Sequence, residues 1–187
     1  MFLKRFIAKL TNLFNRNDYL EDEELKGSVF VVDIGSTFIK VMAGRREGDI
    51  ITVSNHNKVT APSFMNKISY FEDISDDMEA INTKLEILLE SFAAESDYLV
   101  ICLPDNFSII KLLSLEKTPS EEELEDVIRK NIEPDLPHPY DQWEFTADIV
   151  DKTDNGINMI VLATLRQNLE NVIEMVSNEL AEPDYVS

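Results

Sequence analysis

The chain has 187 residues, 44% of them hydrophobic, with five glycines and seven prolines. That is enough for one or two small packed domains, and the composition excludes a disordered chain. The net charge is −19, which sets the body against nucleic acid and anionic lipid, and the single Cys102 excludes an intrachain disulfide. His56 and His138 lie far apart with no cysteine partner, so no transition-metal site is expected. No run reaches the roughly 20 apolar residues of a membrane span, and the chain is expected to be cytoplasmic.

The first element breaks the acidic pattern. Residues 1–17 hold Lys4, Arg5, Lys9 and Arg16 and no acid, leaving −23 on the other 170 residues. At about 100° per residue, Phe2, Leu3, Phe6, Ile7, Leu10, Leu13 and Phe14 share an arc of roughly 140°, with the basic side chains opposite. This is the pattern of a short basic amphipathic helix. Charges interrupt the apolar region and no small-residue cleavage site follows, which argues against a secretory signal. Such a helix lies on an inner-membrane surface or docks on protein, its own chain or a partner. The acidic run 18–24 reads as a solvated linker.

Val29–Val32 is apolar and leads into Asp33-Ile34-Gly35-Ser36-Thr37, after which Phe38–Ala43 leaves carrying Lys40. The spacing predicts strands over 28–34 and 37–44. Gly35 permits a tight reversal that a Cβ would resist. Turn amides and the hydroxyls of Ser36 and Thr37 suit phosphate oxygens, Lys40 adds a positive charge, and Asp33 is placed to hold a hydrated Mg²⁺ indirectly. An ordinary polar hairpin turn explains the same residues without a ligand. A third strand is expected over 50–59, a mixed loop over 63–75, and a helix over 77–93 whose stripe is Met78, Ile81, Leu85, Leu88, Leu89 and Phe92, with Ile87 off it. Tyr98–Leu103 is almost continuously apolar and reads as a strand buried on both sides, returned parallel to the first by the crossover helix.

Beyond it, Ile109–Glu116 alternates as a strand. Ser120 and Glu123 have capping-box spacing at the head of a helix that Pro134 ends. The prolines of 133–143 demand an extended loop. Trp143–Val150 and Ile157–Leu165 read as a hairpin about Asp154-Asn155-Gly156. Leu169, Val172, Ile173, Val176 and Leu180 mark a last helix, 166–181. The boundaries expected are a basic helix 1–17, a linker 18–26, a first unit 27–106, a second unit 107–182 and a tail 183–187.

The segment DIGSTFIKV, with the SEEELEDVIRK helix, LPHPYDQW and the hairpin that follow, resembles the type IV pilus assembly protein PilM family of the actin-like ATPase superfamily, in the branch that also holds FtsA. The resemblance spans residues 27–187 and the first half of a family member. It implies an α/β fold of mixed sheets: part of an actin-like (RNase H-like) lobe, β-β-β-α-β, followed by a small inserted β-α-β-β-α subdomain. It also implies a cytoplasmic scaffold of a pilus or related secretion platform, peripheral to the inner membrane. That scaffold binds the cytoplasmic tail of a PilN-like partner between lobe and subdomain, and self-association is a further expectation because an unfinished sheet leaves an edge and a face uncovered. ATP and Mg²⁺ belong to a full-length relative, where Asp33, Gly35, Ser36, Thr37 and Lys40 form one wall of the site. The second phosphate loop and the adenosine pocket are not found in this sequence, so neither tight nucleotide binding nor catalysis is expected, and no catalytic residue is assigned. Two relatives of similar fold give alternatives: an FtsA-like division protein, whose amphipathic helix is C-terminal, and the cytoplasmic part of the secretion protein GspL. An actin-like sugar kinase would need a catalytic aspartate in a segment that is not found.

Overall fold

In the computed structural model, the residues described are 27–47, 50–69, 71–90, 92, 96–153 and 156–186. The expectations for the basic segment 1–17, for the linker 18–26 and for the Asp154-Asn155 turn therefore fall outside them. The described chain forms two compact units.

The larger unit comprises residues 27–107 and 167–186. Strands β1 (Gly27–Ile34), β2 (Phe38–Glu47) and β3 (Ile50–Thr60) meander antiparallel, and helix α1 (Met78–Leu89) crosses over to β4 (Tyr98–Cys102), which runs parallel to β1. β8 (Tyr185–Val186) adds a fifth strand parallel to β4, giving the order β3-β2-β1-β4-β8. Alternation fixes which side is the core. Phe30, Val32 and Ile34 of β1, Ile39 and Val41 of β2, and Leu99 and Ile101 of β4 are buried on one face with Ile81, Leu85 and Leu88 of α1. Ile87 points away at 49% exposure, as its place off the helical stripe predicts. The loop before α1 is less open than its mixed sequence suggests. Met65, Ile68 and Ile74 are buried, and Asn106 donates from Nδ2 to the carbonyls of Met65 (2.8 Å) and Ile68 (2.9 Å).

The smaller unit runs from Ser108 to Arg166 among the described residues. Strands β5 (Ser108–Leu115), β6 (Trp143–Thr153) and β7 (Gly156–Leu165) form an antiparallel sheet in the order β5-β7-β6, with α2 (Glu121–Ile132) between β5 and β6 in the chain. Ser120 caps α2 as its spacing predicts: its Oγ accepts from the Glu123 amide (3.3 Å), and Glu123 Oε2 accepts from the Ser120 amide (3.0 Å). At the β6–β7 turn Gly156 has φ +149°, and a Cβ there would lie 2.0 Å from the Leu115 carbonyl oxygen, so only glycine fits.

Three expectations need correction. The segment after α2 is not simply extended: single 3₁₀ turns form at Glu133–Asp135 and Tyr140–Gln142, separated by the prolines. β4 is not buried on both sides; Leu99 and Ile101 are buried while Tyr98, Val100 and Cys102 are half-buried. Finally, the division between units is not at 107 and 182. Helix α3 (Arg166–Glu179) buries Val172, Met175 and Val176 in the core of the larger unit, and the tail supplies β8 to the larger sheet. The pattern of α3 specifies an apolar stripe but not the sheet that receives it. Apart from this assignment the element order is the expected one.

Candidate functional site

The β1–β2 turn is built by register. Eight consecutive pairs from Gly27↔Arg46 to Ile34↔Ile39 bring Asp33 directly opposite Lys40, and the parallel pairing of β4 sets Cys102 beside Asp33 on the other flank. These side chains share the face turned away from the helices, because odd positions of β1 alternate with the buried Phe30, Val32 and Ile34. Lys40 Nζ lies 2.5 Å from Asp33 Oδ2, with side-chain exposures of 50% and 34%. A pair this open to water is worth well under about 1 kcal/mol to the fold.

Gly35 is required by close approach. Its amide donates to the Phe38 carbonyl at 3.0 Å, and a Cβ would fall 2.7 Å from that oxygen. The Gly35 N–H is therefore used within the turn and is not offered to a ligand. Ser36 and Thr37 make no hydrogen bond through amide or hydroxyl to another described residue, while the Thr37 carbonyl accepts from the Ala61 amide at 3.0 Å and ties β3 to the turn. The expected cradle is thus narrower by one donor: two amides, two hydroxyls and Lys40.

Residues that the sequence did not assign to this corner complete the surroundings. A concavity of about 690 Å³ on this face is lined by Asp33, Lys40, Met42, His56, Lys58 and Cys102, among others. Lys58 stands opposite Lys40 in the β2–β3 register and places its ammonium 4.6 Å from the centre of the Phe38 ring. The signal for Lys58 was the alternation of β3, which becomes readable only once the β2–β3 register is known. Burial raises the pKa of the Cys102 thiol and the Asp33 carboxylate raises it further, with Lys40 opposing. Cys102 is therefore protonated at neutral pH and is not a nucleophile in waiting.

Chemically this is an anion-accepting corner: two ammonium groups and two unused amides beside one carboxylate. A phosphate fits the donors, and the carboxylate fits a cation that accompanies phosphate. Among the described residues no three His, Cys, Asp or Glu side chains converge on a metal ion, so Asp33 would contact Mg²⁺ through water and not within a protein cage. The helix residues expected to meet membrane or partner, from Phe2 through Leu10, lie outside the described residues. No helix among the described residues is long and apolar enough to cross a membrane.

No protein-family model and no curated protein matches the sequence. Among solved structures, a chain of the PilM-PilN type IV pilus biogenesis complex superposes with a TM-score of 0.64 over 85% of this chain, at 16% identity. A Bacteroides thetaiotaomicron protein with an actin-like ATPase fold aligns over 91% of this chain and 55% of its own at 10% identity, with a TM-score of only 0.44. The present chain spans 46% of the PilM-PilN chain, less than half of its length. What the similarity to the first of these establishes is the fold: the described residues share its mixed α/β architecture, here with a five-stranded mixed sheet.

Proposed function

We propose that this chain is a scaffold component of a type IV pilus or related inner-membrane assembly platform, and that it acts by holding the cytoplasmic tail of a PilN-like membrane protein. The observation that carries the reading is the superposition on the PilM-PilN complex over 85% of the chain, through both the larger and the smaller unit. A body carrying −23 outside its first seventeen residues favours a tail with basic residues, because charge of opposite sign raises the association rate and orients encounter. Location at the inner-membrane periphery follows from holding such a tail, with residues 1–17 as a second, basic contact to the lipid surface.

Nucleotide chemistry is proposed to be absent from this chain acting alone. The corner at Asp33, Ser36, Thr37, Lys40 and Lys58 holds one side of a phosphate, and its ion pair is open to solvent. In water such contacts are screened and weak. When ATP and Mg²⁺ are bound in a longer relative, the phosphates supply the charge that Lys40 and the turn amides neutralise. A fluorescent peptide copying the cytoplasmic tail of the PilN-like protein from the same organism is the direct probe. Saturable binding in the micromolar range is expected, and none up to about 100 μM would overturn the reading. In the same preparation, release of phosphate from Mg²⁺-ATP should not exceed the buffer blank.

A further inference from the structure

The face of the smaller sheet turned away from α2 is divided lengthwise. On the α2 side, Leu113, Ala147, Met159 and Val161 are buried, and Lys111 donates to the Asn131 carbonyl near the end of that helix at 2.6 Å. The other face would alternate to polar side chains if water covered it. Its two central rows, read from β5 across β7 to β6, are instead Ile110, Leu162, Thr146 and Leu112, Ile160, Asp148. Ile110 and Leu112 are 57% and 63% exposed. An aliphatic seam therefore lies over β5 and β7, and the next row, Ser114, Asn158 and Asp151, is polar.

Charge is confined to one flank of that seam. Among the same-face positions of β6, Glu144 is neutralised by Arg166 at 2.8 Å, whereas Asp148 and Asp151 are exposed and pair with no described cation. On the other flank β5 is the edge of the sheet. A helix is about 10 Å across, and the two outer strands are about 10 Å apart. One helix seated over β5 and β7 covers the seam, brings one flank above β6 and leaves its other flank in water.

We propose that this face docks a single helix of another protein, one with an apolar stripe and with lysine or arginine along one flank only. The stripe covers Ile110, Leu112, Ile160 and Leu162, and the basic flank meets Asp148 and Asp151. Those two acids stand about 7–10 Å apart along β6, close to the roughly 10.5 Å between helix residues seven apart. A second copy of this chain is the poorer occupant. Residues 108–166 hold six Lys and Arg against thirteen Asp and Glu, a net of −7, so two such faces meet with like charge on both. The inference does not rest on the pilus reading, and its test uses no PilN-like tail.

The probe is a fluorescent designed helix of about fifteen residues, with leucine at the a and d positions of two heptads, one lysine at each e position, and alanine or glutamine elsewhere. A comparison helix moves both lysines to f, opposite the stripe, so composition and net charge are unchanged. With the full chain, the e-flank helix should bind saturably at about 10–100 μM, and about fivefold more tightly than the f-flank helix. Asp148→Asn with Asp151→Asn, two exposed and isosteric changes, should bring the two affinities together. Ile110→Ser with Leu112→Ser should weaken both about tenfold while hydrogen-exchange protection of β7 persists. If the serine variant loses that protection, the asparagine variant decides, because it leaves the seam intact. The proposal is overturned by no saturation with either helix up to about 500 μM, or by equal affinity of both helices for the unaltered chain. It is equally overturned by a preference that survives the asparagine changes, or by binding that a folded serine variant retains in full. A dimer in light scattering that the serine changes dissolve would overturn it in favour of a second copy.

Discussion

At the scale of single residues, the β1–β2 corner concentrates charge on a solvent-facing strand pair, and Cys102 reports on it. Its thiol pKa is raised first by burial, then by Asp33, with Lys40 acting in the other direction. The sign follows directly: a raised value means that at pH 8 less thiolate is present than in an ordinary cysteine, so alkylation is slow and climbs only toward alkaline pH. Asp33→Asn removes a charge that holds the pKa up and should speed iodoacetamide alkylation at pH 8 by roughly two- to fivefold; Lys40→Met should slow it by a similar factor. Mass spectrometry of the Cys102 peptide over time, across pH 7–10, checks both, and equal rates in the three proteins would show that the ion pair does not act on the thiol. The corner was partly legible in the sequence. Asp33, Gly35 and Lys40 are adjacent in the chain to a turn signal, so their meeting depends only on a hairpin register. Cys102 and Lys58 reach the same place through a parallel crossover and a bulged β2–β3 pairing, which no local pattern reveals.

At the scale of elements, the long strands and the helices α1, α2 and α3 have periods in the sequence that fit them, whereas the two-residue β8 and the 3₁₀ turns do not, and the partner of each apolar stripe does not follow from its period. α3 is the clearest case: its stripe was legible, while its place against the larger sheet comes from burial of Val172, Met175 and Val176 there and from one buried amide. Asn168, fully buried in the first turn of α3, accepts from the Ile74 amide at 3.2 Å and donates to the Glu72 carbonyl at 2.7 Å. Both backbone groups precede α1, so this side chain joins two helices about ninety residues apart in the chain. Asn168→Ala leaves the buried Ile74 amide unpaired, at a cost of about 1–3 kcal/mol, while the part-buried Glu72 carbonyl can turn to water. A loss of about 2–3 kcal/mol in urea unfolding is expected. Asn171→Ala removes two exposed hydrogen bonds, one donated to Ser75 Oγ at 2.9 Å and one accepted from Gln167 Nε2 at 2.9 Å; with water free to replace both partners it should cost about 1 kcal/mol or less. Comparable losses for both variants would mean that Asn168 is no more than a surface contact.

At the scale of the whole molecule, the smaller unit is a chain insertion whose ends meet. Ser108 pairs with Thr164 at the same end of neighbouring strands, and their hydroxyls lie 2.6 Å apart, so the polypeptide leaves the larger unit after Phe107 and re-enters it at Gln167 through adjacent strand ends. Sequence periodicity could not show this, because the insertion is marked by which residues α3 covers and not by any change in composition. The geometry makes the two units separable in one direction only. Replacing residues 108–165 by a two- or three-residue turn spans a gap of about 5 Å and keeps Val172, Met175 and Val176 in the larger core. That deletion should fold, unfold cooperatively, and retain hydrogen-exchange protection in β1 and β4. Stopping the chain after Leu165 removes those three buried side chains, Asn168 and β8 together. Each large buried side chain lost costs about 2–5 kcal/mol, several of them exceed the whole stability of a small domain, and the shortened protein should fail to show cooperative unfolding by circular dichroism. If the protein ending at Leu165 folds as well as the one carrying the short turn, α3 does not belong to the core of the larger sheet.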